Sequence, residues 1–306
     1  MNVEVSPHAL LRPAIAIPFL LVAAIWGSTW YVITGQIDGV PAHWSVAWRF
    51  TLATPAMFLL ALAMRRSLFM PRRAHRLAMA MGLMQFCGNY NFVYLSELYL
   101  TSGVVALMIG MMFVPNAVLG RALLGQRVTP RFFAGSAVAL AGIALLLVNE
   151  AQVEPLGGNV LFGVALALLA MLSASFANVI QAGPAGQGTS LVSLLAWSML
   201  YGTLADYGIA FALAGPPVLP NDPHYWAGIG WLALAGSVVT FPLYYNLVRQ
   251  LGAGRAAYNG VLVVVIAMFI STLLEGYRWT PLAIAGGLLA MLGMILALRA
   301  REVKSS

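Results

Sequence analysis

Ten stretches of helix length run through this chain with almost no charge in any of them, near residues 14–34, 43–64, 77–97, 102–120, 132–149, 160–181, 191–212, 226–247, 256–274 and 281–298. A helix that crosses a bilayer needs about 20 mostly apolar residues, because lipid offers no partner to an unsatisfied amide or carbonyl. Outer-membrane strands would alternate polar and apolar residues at a period of two, whereas these stretches are continuously apolar. The expected fold class is therefore an all-α integral membrane protein with ten transmembrane helices. Composition agrees: 61% of the 306 residues are hydrophobic and 8% are charged, against about 25% charged in soluble domains. The first stretch is too long for a signal peptide, follows Arg12 and lacks a small-residue cleavage site, so it reads as a helix that stays.

The charges set the orientation. Placing the N-terminus in the cytoplasm puts fourteen of the 16 Lys and Arg residues on the cytoplasmic side: Arg12, Arg65, Arg66, Arg72, Arg73, Arg76, Arg121, Arg127, Arg131, Arg249, Arg255, Arg299, Arg301 and Lys304. Short cytoplasmic loops are enriched in these residues. Only Arg278 falls in an outer loop, and Arg49 falls inside a span. The acids Asp38, Glu97, Glu150, Glu154, Asp222 and Glu275 favour the outer side. Both chain ends are thus expected inside. The net charge of +7 follows from this bias and implies no nucleic-acid partner.

Self-comparison reveals a repeat. Shifted by 151 residues, 94–147 lies over 245–298 without a gap. Gly125-Gln126-Arg127-Val128-Thr129-Pro130 falls on Gly276-Tyr277-Arg278-Trp279-Thr280-Pro281, Gly135 on Gly286 and Gly142 on Gly293. The chain divides into halves 1–150 and 151–306 of five helices each. Five is odd, so the second half enters the membrane with the opposite sense, and Arg278 lies outside because its equivalent Arg127 lies inside. Inverted repeats of this kind bind substrate near the bilayer midplane between the halves.

Trp26-Gly27-Ser28-Thr29-Trp30, Trp48-Arg49-Phe50 and Leu123-Leu124-Gly125-Gln126-Arg127, together with the 5 + 5 arrangement, resemble the EamA-type drug/metabolite transporter superfamily over nearly the whole chain. The length and the Trp- and Tyr-rich helices look most like the aromatic amino acid exporters of the YddG type. The family's usual Gly-Glu pair is Gly125-Gln126 here, and the second copy reads Glu275-Gly276. The resemblance implies a multi-pass protein of the inner (plasma) membrane that exports amino acids.

A transport path needs polar groups facing a water-filled cavity, since polar groups left in lipid are costly. Helix 3 offers Gln85, Asn89, Tyr90 and Tyr94. Gln85 and Asn89 share one helical face, and Tyr90 and Tyr94 an adjacent one. Its repeat partner, helix 8, offers Thr240, Tyr244 and Tyr245. Helices 1 and 6 add Trp26, Ser28, Trp30, Ser175 and Asn178, and helix 9 adds Tyr258 and Asn259 near a cytoplasmic gate. Each has a structural alternative: hydrogen bonds between helices, close helix approach or membrane-interface anchoring. Pro115 and the methionines around it mark helix 4 as a place to kink.

Arg49, about two turns inside helix 2, is expected to snorkel outward or to pair, in a structural role. Asp206 is the one acid clearly inside a span, towards its outer part. A passage so poor in charge fits net-neutral cargo, amino acids above all, moved by alternating access as facilitated diffusion. Efflux of drugs or other metabolites by proton antiport is the rival. Catalysis is not expected: His8, His43, His75 and His224 lie outside the span centres and lack metal-ligand spacing, and H-E-x-x-H is missing from the sequence. No cofactor is implied. The lone Cys87 excludes an intrachain disulfide. Partners reduce to a small-molecule substrate and membrane lipid, with the chain as a monomer.

Overall fold

The computed structural model describes residues 12–125, 129–153, 159–183, 188–251 and 258–300. These residues are helical, with no strand among them, and form ten rods: α1 Pro13–Ile37, α2 Ala42–Ala63, α3 (72–96), α4 Ser102–Leu124, α5 Pro130–Val153, α6 Val160–Ala182, α7 Leu191–Ala214, α8 (223–251), α9 Tyr258–Leu274 and α10 Pro281–Ala300. The ten apolar stretches fall on one rod each to within a few residues; the expected start of the ninth, at 256, lies outside the described residues. By length and composition, α1, α2, α4, α5, α6 and the 223–244 part of α8 can each cross a membrane, and α9 and α10 are shorter apolar helices. The bundle's exterior is as apolar as its core: Leu59, Leu161, Phe211 and Leu288 are all exposed. Lipid, not water, is the solvent such a surface requires.

Three rods are interrupted. In α4 the helix breaks at Met111–Met112, between Ser102–Gly110 and Phe113–Leu124. Pro115 has no amide hydrogen to give to the Met111 carbonyl, and its ring crowds that turn. In α3 a π-helical segment, Gly82–Asn89, separates Arg72–Met81 from Tyr90–Ser96. In α8 another, Trp231–Val239, separates Pro223–Gly230 from Thr240–Leu251. Inserted π turns are rare and concentrate at functional sites. Here they occupy nearly equivalent positions under the 151-residue shift. Asp222 caps α8 by accepting from the His224 amide at 2.9 Å, and that bond holds its carboxyl below the usual carboxylate range.

The same shift organises the packing of α5 on α10. A Cβ added at Gly142 would strike Ala290, and one at Gly293 would strike Ala139; a Cβ at Gly135 would strike Ala297, and one at Gly286 would strike Gly142 and Leu146. Each contact is the 151-residue image of another, which is how a two-fold axis shows itself in an interface. Small residues at these points let the two backbones approach closely. On the seam of α2 with α7, Thr54 and Thr203 hydroxyls meet at 3.0 Å. Gly125 and Gly276, one shift apart, both take the left-handed conformation, with φ of 66° and 69°. That conformation costs a residue with a Cβ about 1–2 kcal/mol. Gln126, Arg127 and Val128 of the shared loop motif lie outside the described residues.

One end of the bundle, the basic end, carries Arg65 and Arg66 between α2 and α3 and Arg72, Arg73 and Arg76 in the first turns of α3. The opposite, far end carries Asp38, Asp222 and Arg278.

Candidate functional site

Between α1, α2, α3 and α8 the side chains close into a ring of contacts that has one cation as a member. Arg49 of α2 is 2% exposed. Its guanidinium lies 4.3 Å from the Tyr90 ring centroid and 5.6 Å from that of Phe50. It donates to the Tyr94 hydroxyl at 3.4 Å, the Tyr90 hydroxyl at 3.5 Å and Ser237 Oγ at 3.2 Å. The two π segments help build this arrangement. Ser237 sits inside the second, where its hydroxyl also donates to the Leu232 carbonyl five residues back at 3.0 Å. Tyr90 and Tyr94 stand on the α-helical turn that follows the first.

The ring continues through aromatic contacts. Tyr90 packs against Phe50 at 4.9 Å, Phe50 against Phe86 at 5.3 Å, Phe86 against Phe241 at 5.8 Å and Phe241 against Trp26 at 5.7 Å, mostly edge to face. Trp26 closes it by donating Nε1 to the Gly236 carbonyl at 3.2 Å, next to Ser237. Gly236 leaves room there for Thr29 and the Arg49 guanidinium. Tyr244 flanks Trp26 at 5.1 Å.

Arg49 thus neither snorkels nor pairs. Among the described residues no carboxylate lies within ion-pair distance of it; the ion pair found there is the exposed His224–Asp222 contact. Glu97, one turn beyond Tyr94, acts on it electrostatically from farther away, and both Glu97 carboxylate oxygens are buried without a hydrogen-bond donor. The Arg49 Nε is likewise buried without an acceptor. A buried cation held by weak, long hydrogen bonds and ring faces is poorly compensated.

Of the candidates singled out in sequence, Trp26, Tyr90, Tyr94 and Tyr244 meet at or beside this ring. Thr240, one turn from Ser237, is fully buried with its hydroxyl unpartnered, and Trp30 Nε1 and Ser175 Oγ are buried in the same condition. Gln85 and Asn89 lie on the seam with α6: Gln85 donates to Asn89 at 3.3 Å, and Asn89 donates to the Ala170 carbonyl at 3.0 Å. Asn178 of α6 directs its amide at Met112 Sδ, 3.5 Å away, at the break in α4. Ser28 accepts from the Trp231 indole at 3.1 Å, and that ring is 43% exposed on the bundle's outer surface. Asn259 ties α9 to α1 by donating to the Phe19 carbonyl at 2.7 Å. Tyr258 packs against the core, and the side chain of Tyr245 lies outside the described residues. Sequence reading passed over Phe50, Phe86, Ser237 and Phe241. Phe50 stood beside Arg49 in the Trp48-Arg49-Phe50 motif; an Ala-Gly-Ser step within an apolar run gave no such signal.

The sequence profile of the EamA-like transporter family matches residues 14–148 and 161–299. The chain belongs to that family. Among curated relatives of this EamA-like transporter, the "Probable amino-acid metabolite efflux pump" of Escherichia coli strain K12 is 23% identical over 286 residues, covering 90% of this chain and 92% of its own. The "Uncharacterized inner membrane transporter YedA" of the same strain is 27% identical over 261 residues, covering 82% and 80%. A solved crystal structure, 17% identical, covers 94% of this chain and 99% of its own with a TM-score of 0.64, which establishes a shared fold. The EamA-like chain is a multi-pass membrane transporter. Its two matched stretches flank the region 149–160, as a two-repeat fold requires.

Proposed function

We propose that this EamA-like transporter exports small carboxylate-bearing metabolites, amino acids with aromatic side chains among them, and that Arg49 receives the carboxylate. The supporting observation is the buried guanidinium of Arg49, without a carboxylate at ion-pair distance among the described residues and flanked by the Tyr90 and Phe50 rings, from which aromatic contacts run on through Phe86 and Phe241 to Trp26. A guanidinium presents paired donors that match a carboxylate, and the aromatic wall suits an apolar or aromatic side chain. The sequence expectation of a passage without fixed charge gives way to one with a fixed cation. A cationic drug would meet repulsion there. The amino-acid cargo in the name of the E. coli efflux relative agrees with this reading.

In this proposal all ten rods cross the inner membrane, the basic end faces the cytoplasm, and the halves 1–150 and 151–306 exchange conformations to open the ring alternately to each side. A monomer contains the whole path. The test is uptake of labelled phenylalanine into proteoliposomes with unlabelled competitors. Phenylalanine and its des-amino analogue compete, whereas phenethylamine, which lacks the carboxylate, does not. Equal competition by phenethylamine would remove the carboxylate from the recognition and the proposal with it.

A further inference from the structure

The face of α3 that meets Arg49 continues past Tyr94. Tyr90, Tyr94 and Glu97 stand at i, i+4 and i+7, the spacing of one helical stripe. The backbone stays helical through Glu97, whose amide donates to the Val93 carbonyl at 3.1 Å. The two tyrosines reach Arg49 with their hydroxyls. Glu97 ends the rod on the far side and is 8% exposed, and neither of its carboxylate oxygens meets a donor among the described residues. It lies within electrostatic reach of both Tyr94 and Arg49.

A second carboxylate approaches from α9. Gly103 of α4 packs so closely on α9 that a Cβ there would strike Met268 and Ser271. Glu275 follows one turn after Ser271, bonding its amide to the Ser271 carbonyl at 3.0 Å. It thereby reaches the start of α4, where its Oε2 accepts from Ser102 Oγ at 2.7 Å. Glu275 and Glu97 repel each other. Among the described residues no Lys, Arg or His lies within ion-pair distance of either acid. The Arg49 Nε, for its part, is buried without an acceptor. One stripe of α3 therefore joins an unpaired cation to an unpaired anion, and Tyr94 touches the first one turn before the second.

We propose that Glu97 binds the α-ammonium group of the cargo while Arg49 takes its carboxylate, so that the site selects zwitterions over plain carboxylates. The inference rests on the export reading above and adds the second half of the recognition. In an α-amino acid the two charged groups hang on one carbon and carry opposite signs, as Arg49 and Glu97 do. An ammonium brings three donors, and its bonds to a carboxylate are charge-assisted. Glu275, held by Ser102, adds negative charge on the same side. A carboxylate without the ammonium fills Arg49 but leaves Glu97 buried and unpaired, and a site built around a substrate NH rejects the analogue that lacks it.

The experiment measures uptake of trace labelled phenylalanine into proteoliposomes against unlabelled phenylalanine or its des-amino analogue, 3-phenylpropanoate. In the wild type, half-inhibition takes roughly 10- to 150-fold more 3-phenylpropanoate than phenylalanine, the worth of one charge-assisted hydrogen bond. Glu97→Gln collapses that ratio towards one by weakening phenylalanine alone; a merely structural Glu97 would weaken both competitors together and leave the ratio standing. Glu97→Asp, which draws the carboxylate back by one methylene, lowers the ratio part-way. A wild-type ratio near one, or a ratio unchanged in the variants, overturns the assignment while leaving carboxylate recognition intact. Uptake that requires sodium in the buffer gives the two acids to an inorganic cation and overturns it as well. Should neither variant insert, the wild-type ratio alone decides. Equal competition by phenethylamine, or no phenylalanine flux at all, overturns the export reading and the ammonium site together.

Discussion

A guanidinium at the centre of a membrane helix costs about 2.5–3.5 kcal/mol on insertion scales, and the chain spends that at Arg49 without a counter-ion. The contacts with Tyr90 and Phe50 return about 2 kcal/mol or more in a desolvated site. A charge-assisted hydrogen bond is worth about 1.5–3 kcal/mol. Replacing Arg49 with Gln is therefore expected to weaken phenylalanine half-saturation by roughly 10- to 150-fold, while thermal unfolding in detergent shifts no lower, because the variant buries no uncompensated charge. Arg49→Lys keeps the charge but loses the planar fork and recovers only part of the affinity. Unchanged half-saturation in both variants would return Arg49 to a structural role. The sequence put Tyr90 and Tyr94 on one face, and both meet Arg49, because helical periodicity fixes relative angle within a rod. It expected Arg49 to snorkel or to pair, and neither is seen among the described residues, because depth along α2 does not tell which way a residue faces around the bundle. Ser28 met the same limit: its spacing from Trp26 and Trp30 could not show that Trp231 covers it from the outer surface.

Between helices, the repeat was legible in glycine and loop positions but its mechanical consequence was not. Matching Gly135 to Gly286 and Gly142 to Gly293 foretold equivalence; only the structure shows that these glycines pack against each other's neighbourhoods across α5 and α10. The π segments of α3 and α8 left no mark in sequence, because an extra residue in a turn changes hydrogen-bond partners without changing hydropathy. The reciprocal packing makes a symmetric prediction. Gly142→Val and Gly293→Val each force a Cβ into backbone atoms of the partner helix, and overpacking of this kind costs about 1–3 kcal/mol. Both lower the midpoint of thermal unfolding by similar amounts. The double variant falls short of additivity, since one separation of α5 from α10 relieves both clashes. Unequal losses, or strict additivity, would mean that the two contacts belong to separate interfaces.

At the scale of the whole molecule, the proposed opposite sense of the two halves requires each end of the bundle to carry loops from both. The region between α2 and α3 and the region between α7 and α8 then face opposite sides of the membrane. Phe69, 97% exposed in the first, and His224, whose side chain is 98% exposed at the start of α8, are open positions on these two faces. Cys87 is buried, and among the described residues it is the free thiol; Cys87→Ala gives a silent background. In that background, His224→Cys is expected to react with a membrane-impermeant maleimide in intact cells, and Phe69→Cys only after permeabilisation. This follows from the excess of Arg between α2 and the first turns of α3, since basic short loops are retained in the cytoplasm. Labelling of both positions from the same side would leave an even number of crossings between them. The halves would then share one sense, and the exchange proposed to carry substrate past Arg49 would lose its geometric basis.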